Sequence, residues 1–262
     1  MQTDTEGLVL RQVKTADGRR MLLLFTRKYG KISVGTGLSE RSTRSRAALS
    51  IRPFTYGRYE LYKGREYYNL NSGEVLKSYY SLGEDLDKYM AASVCLELTE
   101  KLIPEDVPEP RVFSLLLELL TALGNAPAGE KGRPVCETLT LAYRVKLLAE
   151  LGSMPVLESC ARCGGALGER PAFSVKDGGM ICGSCAEKTE NEPQKPGKET
   201  LIYRPGFDIV KVMGYFVKKP LSAFEKVTLN EDTAKELRTI LHEYMAYHLD
   251  LRPLKSENML EL

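Results

Sequence analysis

The sequence predicts a multidomain α+β protein. Three observations carry that reading: short strand-like runs through residues 5–72, a change to helical periodicity from about residue 81, and a cysteine-bearing insert at 157–188 between two helical blocks. The segments follow as 1–80 for an N-terminal barrel, 81–156 and 189–262 for an α-helical body, and 157–188 for the insert. A chain of 262 residues is long enough for a sizeable core in each part.

Five strands are legible before residue 72. Gly7 to Val13 is apolar-rich, and Ala16-Asp17-Gly18 turns the chain into Arg19 to Phe25. Arg27-Lys28-Tyr29-Gly30 then leads into Lys31 to Val34. Pro53 to Tyr62 and Glu66 to Leu70 are aromatic runs joined across Lys63-Gly64-Arg65, a hairpin signal. Five strands with an insertion, Ser39 to Ser50, after the third outline an OB-fold β-barrel. A small SH3-like barrel gives similar spacing, so the topology stays open here.

The helical body begins where Leu82, Leu86, Tyr89, Met90, Val94, Leu98 and Leu102 recur at three and four, until Pro104 stops the run. Arg111 to Leu123 is a second helix, and Leu139, Tyr143, Leu147 and Leu151 mark a third. In the last helix Asn230 is the N-cap, and Leu237, Leu241, Tyr244, His248 and Leu251 follow one face before Pro253. The helix spacing makes His248 a packed core histidine, and Cys95 and Cys136 read as ordinary buried thiols.

Four cysteines form one pattern: Cys160-x-x-Cys163, eighteen residues, then Cys182-x-x-Cys185. Two residues between thiolates let both reach one ion from a tight turn, and two such turns complete a Zn–S₄ tetrahedron. Disulfides and a redox dithiol are the competing chemistries, and zinc is favoured by the doubled pair. With sulfur filling all four positions, no place is left for an activated water, so one structural Zn²⁺ per chain is expected.

Charge is uneven along the chain. Residues 1–80 hold 15 Lys/Arg against 7 Asp/Glu, and the remainder holds 22 against 28. A basic barrel suits an anionic partner. Arg27, Lys28 and Lys31 flank one turn, and Arg41, Arg44, Arg46 and Arg52 lie in or beside the insertion. These seven are the nominated contacts to a phosphate backbone. A G-x-x-x-x-G-K-[ST] loop, a G-x-S-x-G elbow and H-E-x-x-H are all absent, and no constellation of catalytic residues is found. No apolar run approaches the ~20 residues of a membrane helix, and no signal peptide is visible, so a soluble cytoplasmic protein without a membrane partner is expected.

The whole chain resembles the bacterial RecO family of recombination mediators. The match is carried by Glu6-Gly7-Leu8-Val9-Leu10-Arg11, Leu24-Phe25-Thr26, Tyr29-Gly30-Lys31-Ile32, Gly37, Ser45-Arg46 and Pro53-Phe54. The four cysteines with Phe173-Ser174 and Gly178-Gly179, then His248-Leu249 and Lys255-Ser256, continue it in order. One element departs: the family's Tyr-x-Glu-x-Asp before the second strand is replaced by Thr15-Ala-Asp-Gly-Arg-Arg20. The resemblance implies a non-catalytic, nucleoid-associated mediator that binds single- and double-stranded DNA and anneals complementary strands. It also implies action with RecR on DNA coated by single-strand-binding protein, to help load RecA. Such a mediator is expected to bind the acidic, apolar-tipped tail of single-strand-binding protein, and Arg144, in Tyr143-Arg-Val-Lys-Leu147, is the nominated contact. The rival readings are a zinc-containing RNA-binding adaptor and an accessory subunit of a nucleic-acid enzyme.

Overall fold

A computed structural model describes residues 2–15, 20–37, 46–65, 67–190 and 201–257. It divides into two compact units, Met1–Gly132 with Leu254–Leu262, and Arg133–Pro253. The division falls inside the segment 81–156.

In the first unit, β1 (Gln2–Lys14), β2 (Arg20–Thr26), β3 (Gly30–Thr36), β4 (Thr55–Lys63) and β5 (Tyr68–Ser78) close into a barrel in the order β1-β2-β3-β5-β4. The long β1 serves both β4 and β2, and a register shift between Val9 and Arg11 lets it bend from one partner to the other. Closure is completed by parallel pairing of Val34 with Tyr68 and Gly35 with Asn69. Val9, Leu22, Leu24, Ile32, Val34, Tyr59, Leu61 and Tyr68 fill the interior, with Ile51 added from the connection before β4. Tyr59 brings a polar group into this core, and its hydroxyl is satisfied by donating to the Ser50 carbonyl at 2.7 Å. The fifth strand runs eight residues past the expected Leu70. Its extension, Asn71 to Ser78, is a largely exposed edge with little apolar alternation to announce it.

A helix α1 (Arg46–Ser50) precedes β4. The periodic run from Leu82 is not one helix. A 3₁₀ turn, Tyr80–Glu84, is followed by Asp85, whose carboxylate accepts the Lys88 amide and caps α2 (Leu86–Leu102). Helix α3 (Pro110–Asn125) starts on proline, where its missing N–H costs nothing. Between them, Asp106 donates its amide to the Lys31 carbonyl, laying this connection along the start of β3. Gly30 permits that approach: its φ is +71°, and a Cβ there would stand 2.0 Å from the Val107 carbonyl oxygen.

The second unit is built on α4 (Arg133–Glu150), which is packed by α6 (Ile209–Lys218), a 3₁₀ turn at Leu221–Phe224 and α7 (Glu231–Leu249). Asn230 caps α7 by accepting the Thr233 amide at 2.8 Å. The cysteine insert holds β6 (Ala172–Ser174), β7 (Gly179–Ile181) and α5 (Gly183–Glu190). A short β8 (Ile202–Tyr203) pairs with the other edge of β6, so the chain returns to the insert after the linker. Among the described residues, no helix is long and apolar enough to cross a membrane.

Candidate nucleic-acid interface and metal centre

The two cysteine turns converge. The Sγ atoms of Cys160, Cys163, Cys182 and Cys185 all lie within 4.8 Å of one another, and Cys163 and Cys182 are 4.0 Å apart. Disulfide sulfurs stand ~2.05 Å apart, so these four are thiols arranged around a common point. Ligands at ~2.3 Å from one zinc would be roughly 3.8 Å apart, and the cluster fits that donor set. Burial pushes the Cys160 thiol up, but the backbone amides of Cys182, Cys163 and Arg162 outweigh it and bring the thiol to about 6. The Ser184 hydroxyl, first among several donors, holds Cys182 below the usual thiol range. Contact with the Cys182 sulfur, then burial and the sulfurs of Cys160 and Cys163, push the Cys185 thiol up to about 12. The cluster thus favours thiolate at two of its sulfurs and opposes it at Cys185, a charge crowding that a bound cation would offset.

The turn between β6 and β7 braces this cluster. Asp177 accepts Arg162 Nε at 3.0 Å on one oxygen and the Ser174 hydroxyl at 2.5 Å on the other. Arg162 stands between Cys160 and Cys163, so Asp177 ties the first cysteine turn to the hairpin. On the far side of that hairpin, His248 Nε2 lies 2.6 Å from the Val175 carbonyl, and its ring stacks near Tyr244 and Tyr247. His248 is exposed, not packed in the core as the helix spacing predicted, and it serves instead as a bracket between α7 and the insert. The sequence marked Asp177-Gly178-Gly179 as a turn, but nothing in it announced the partner of Asp177.

The basic residues nominated in the barrel have different fates. Arg27 is engaged: its Nε meets Glu6 Oε2 at 3.1 Å, its Nη1 donates to Ser114, and its guanidinium covers the Phe113 ring at 4.9 Å. Tyr56 donates to the same Glu6 carboxylate, and that bond, aided by Arg27, holds Glu6 below the usual carboxylate range. Lys31 is only 9% exposed, and its Nζ donates to the Glu100 carbonyl at 2.7 Å. Burial, against the pull of Glu105 and Glu100, pushes the Lys31 amine down. An ammonium so placed holds α2 to the barrel and is not presented to solvent. Lys28 stays exposed on the turn, over the Tyr29 ring at 5.5 Å. Arg52 is half-buried, 5.9 Å from the Tyr80 ring. Arg41, Arg44 and the side chain of Arg46 lie outside the described residues.

One nominated residue is corrected by its burial. Arg144 is 4% exposed and lies on the central helix of its unit, contacted from more than one side, so it does not edge a surface pocket. On a single helix Arg144 and Lys146 stand about 200° apart, and α4 has little solvated face left once α6 and α7 pack on it. Lys146 is partly exposed, with Nζ 3.2 Å from the Val217 carbonyl.

Comparison with known proteins decides the family. The family model described as "Recombination protein O N terminal" matches residues 1–79, and "Recombination protein O C terminal" matches residues 83–258. The chain belongs to the RecO family. A protein of Pelotomaculum thermopropionicum called "DNA repair protein RecO" is 34% identical over 257 residues, covering 98% of this chain and 92% of the relative. A RecO protein of Alkaliphilus metalliredigens is 31% identical, covering 95% of each chain, and one of Bacillus pumilus is 30% identical over 264 residues. The two RecO matches meet at residues 80–82, inside the 3₁₀ turn that precedes α2.

Proposed function

We propose that this chain is a DNA-binding recombination mediator of the non-catalytic kind. Its family implies a role in recombinational repair, and the finer reading is that it anneals complementary strands and acts with RecR on DNA coated by single-strand-binding protein, promoting RecA loading. The observation that carries this reading is the strand order of the barrel. Pairing β1-β2-β3-β5-β4 with return to β1 is the order of an OB-fold, a barrel repeatedly used for single strands. Exposed cations on its turns supply the phosphate-directed, sequence-independent attraction that such a role needs.

Within this reading the cysteine cluster holds one structural Zn²⁺ through Cys160, Cys163, Cys182 and Cys185. Bound there, the metal would supply cross-linking of the two cysteine turns; the chain's own Arg162, Asp177 and Ser174 tie the first of those turns to the hairpin. The tail of single-strand-binding protein is best matched by the surface around the end of α6. There Tyr215 and Val217 are exposed, Lys218 and Lys219 follow, and Lys146 reaches the Val217 carbonyl. An acidic peptide with an apolar tip fits cations beside exposed apolar groups.

Strand annealing tests the proposal. Complementary oligonucleotides, bare and coated with single-strand-binding protein, should pair faster with the protein present and no nucleotide added. Annealing at the spontaneous rate in both states would overturn the mediator reading.

A further inference from the structure

Two lysines far apart in sequence share one arrangement at an end of the barrel. Lys28, in the turn between β2 and β3, holds its Nζ 5.5 Å from the centre of the Tyr29 ring. Lys63, the last residue of β4, holds its Nζ 5.6 Å from the centre of the Tyr68 ring. The two rings are 5.8 Å apart, tilted by 34°. A row of cation, ring, ring and cation therefore runs from one hairpin turn to the other.

The rings are fixed in place. Tyr68 is 7% exposed and belongs to the barrel core, and Tyr29 packs against that core while its hydroxyl bonds to Thr3 Oγ1. Neither face-to-face stacking on a base nor a large swing is open to them. The row presents its two ammonium groups instead. Both lysines are exposed, and among the described residues neither has an ion-pair partner. Arg27 and Lys31, beside Lys28 in sequence, are held by carboxylate, hydroxyl and carbonyl groups. A lysine resting on an aromatic face gains about 0.5–1 kcal/mol at an exposed site. Held this way, it loses less side-chain freedom when it meets an anion. Arg65, two residues beyond Lys63, is also exposed. The outer face of β1 and β4 is of opposite character, since Asp4, Glu6 and Glu60 surround Arg58 in a shallow groove.

We propose that Lys28 and Lys63 form a two-point phosphate clamp for single-stranded DNA, with Tyr29 and Tyr68 holding the cations and not serving as base platforms. This rests on the DNA-binding reading above. The clamp grips the strand without reading its sequence, because phosphate contacts position and base contacts specify.

The test is fluorescence anisotropy of a labelled oligothymidylate with the full chain over a salt series. Lys28→Ala with Lys63→Ala should weaken binding about tenfold at low salt. It should also flatten the log–log salt slope by ~1.4, at ~0.7 per single-strand phosphate released. Lys28→Arg with Lys63→Arg should keep affinity and slope. Arg58→Glu changes the net charge by the same amount on the acidic face, and should stay within about twofold of wild type. Each lysine changed singly should remove roughly half of the slope difference, which keeps the test decisive should the double variant melt early. A double variant with the wild-type slope overturns the clamp and leaves DNA binding intact. So does an Arg58→Glu variant that flattens the slope as strongly. A wild-type protein with no affinity for the oligonucleotide overturns the DNA-binding reading, and the clamp falls with it.

Discussion

The Glu97 carboxylate accepts both the backbone amide and the hydroxyl of Ser256, at 2.8 and 2.7 Å, across 159 residues of sequence. Its other oxygen accepts the Lys255 amide at 3.0 Å. Leu254 and Ser256 are buried, so one side chain of α2 fastens the returning chain to the first unit.

Burial pushes the Glu97 carboxyl up, but the Ser256 hydroxyl and the amides of Ser256 and Lys255 outweigh it, and the group sits below its ordinary 4.5. A carboxyl lowered by folding contributes stability that is fully present above the ordinary value and is lost as pH falls through the lowered one. Glu97→Ala should therefore destabilise the protein at neutral pH by about 1–3 kcal/mol in urea unfolding. The gap between variant and wild type should narrow below pH 4.5. A constant gap down to pH 3 would show that the carboxylate is not the fastening group.

Freshly purified protein should carry about one zinc ion per chain by metal analysis. Cys182→Ser should lower that content and leave the barrel folded. Asp177→Asn should keep the stoichiometry but release zinc faster to a chelator, because Arg162 loses its charged partner. Equal release rates would mean that the Arg162–Asp177 pair is incidental to the metal.

Lys31 and Lys28 should separate cleanly. Lys31→Ala should lower thermal stability by about 1–3 kcal/mol, since it strips the Glu100 carbonyl of its donor and opens space beneath α2. Its salt slope for single-stranded DNA should match wild type. A shallower slope in a fully folded Lys31→Ala protein would return this lysine to the DNA surface.

Arg144→Glu should behave as a core lesion, costing about 3–5 kcal/mol by burying a carboxylate without a matched partner. Lys218→Glu with Lys219→Glu should instead weaken a labelled acidic peptide with an apolar C-terminal tip, while the melting temperature holds. If the peptide binds this pair of variants as it binds wild type, the tail surface lies away from α6.

The parts that local chemistry decides were legible. Asn230 marked the start of α7, and the doubled C-x-x-C spacing foretold a cluster of four sulfurs. What could not be read were distances across the fold. Arg27, Lys28 and Lys31 look equivalent in a five-residue stretch, yet one pairs with Glu6, one points outward and one is buried under α2. Lys63 reads only as part of a hairpin turn, because the Tyr29–Tyr68 contact that relates it to Lys28 is supplied by barrel closure. Arg144 misled for the same reason: a helix wheel shows one helix, and burial depends on what packs against every side of it. Strand β8, two residues long, has no pattern to detect and exists because β6 offers an edge.

The first unit ends where the chain ends its visit to the second: residues 133–253 intervene between α3 and the segment that Glu97 holds. Translation runs in one direction, so the two units mature in an unexpected order. All residues of the second unit have been synthesised before the first unit receives its last strap. A nascent chain paused near residue 250 would already hold every cysteine and all of α7, while the Glu97 carboxylate still waited for Lys255 and Ser256. The barrel-bearing unit is begun first and finished last.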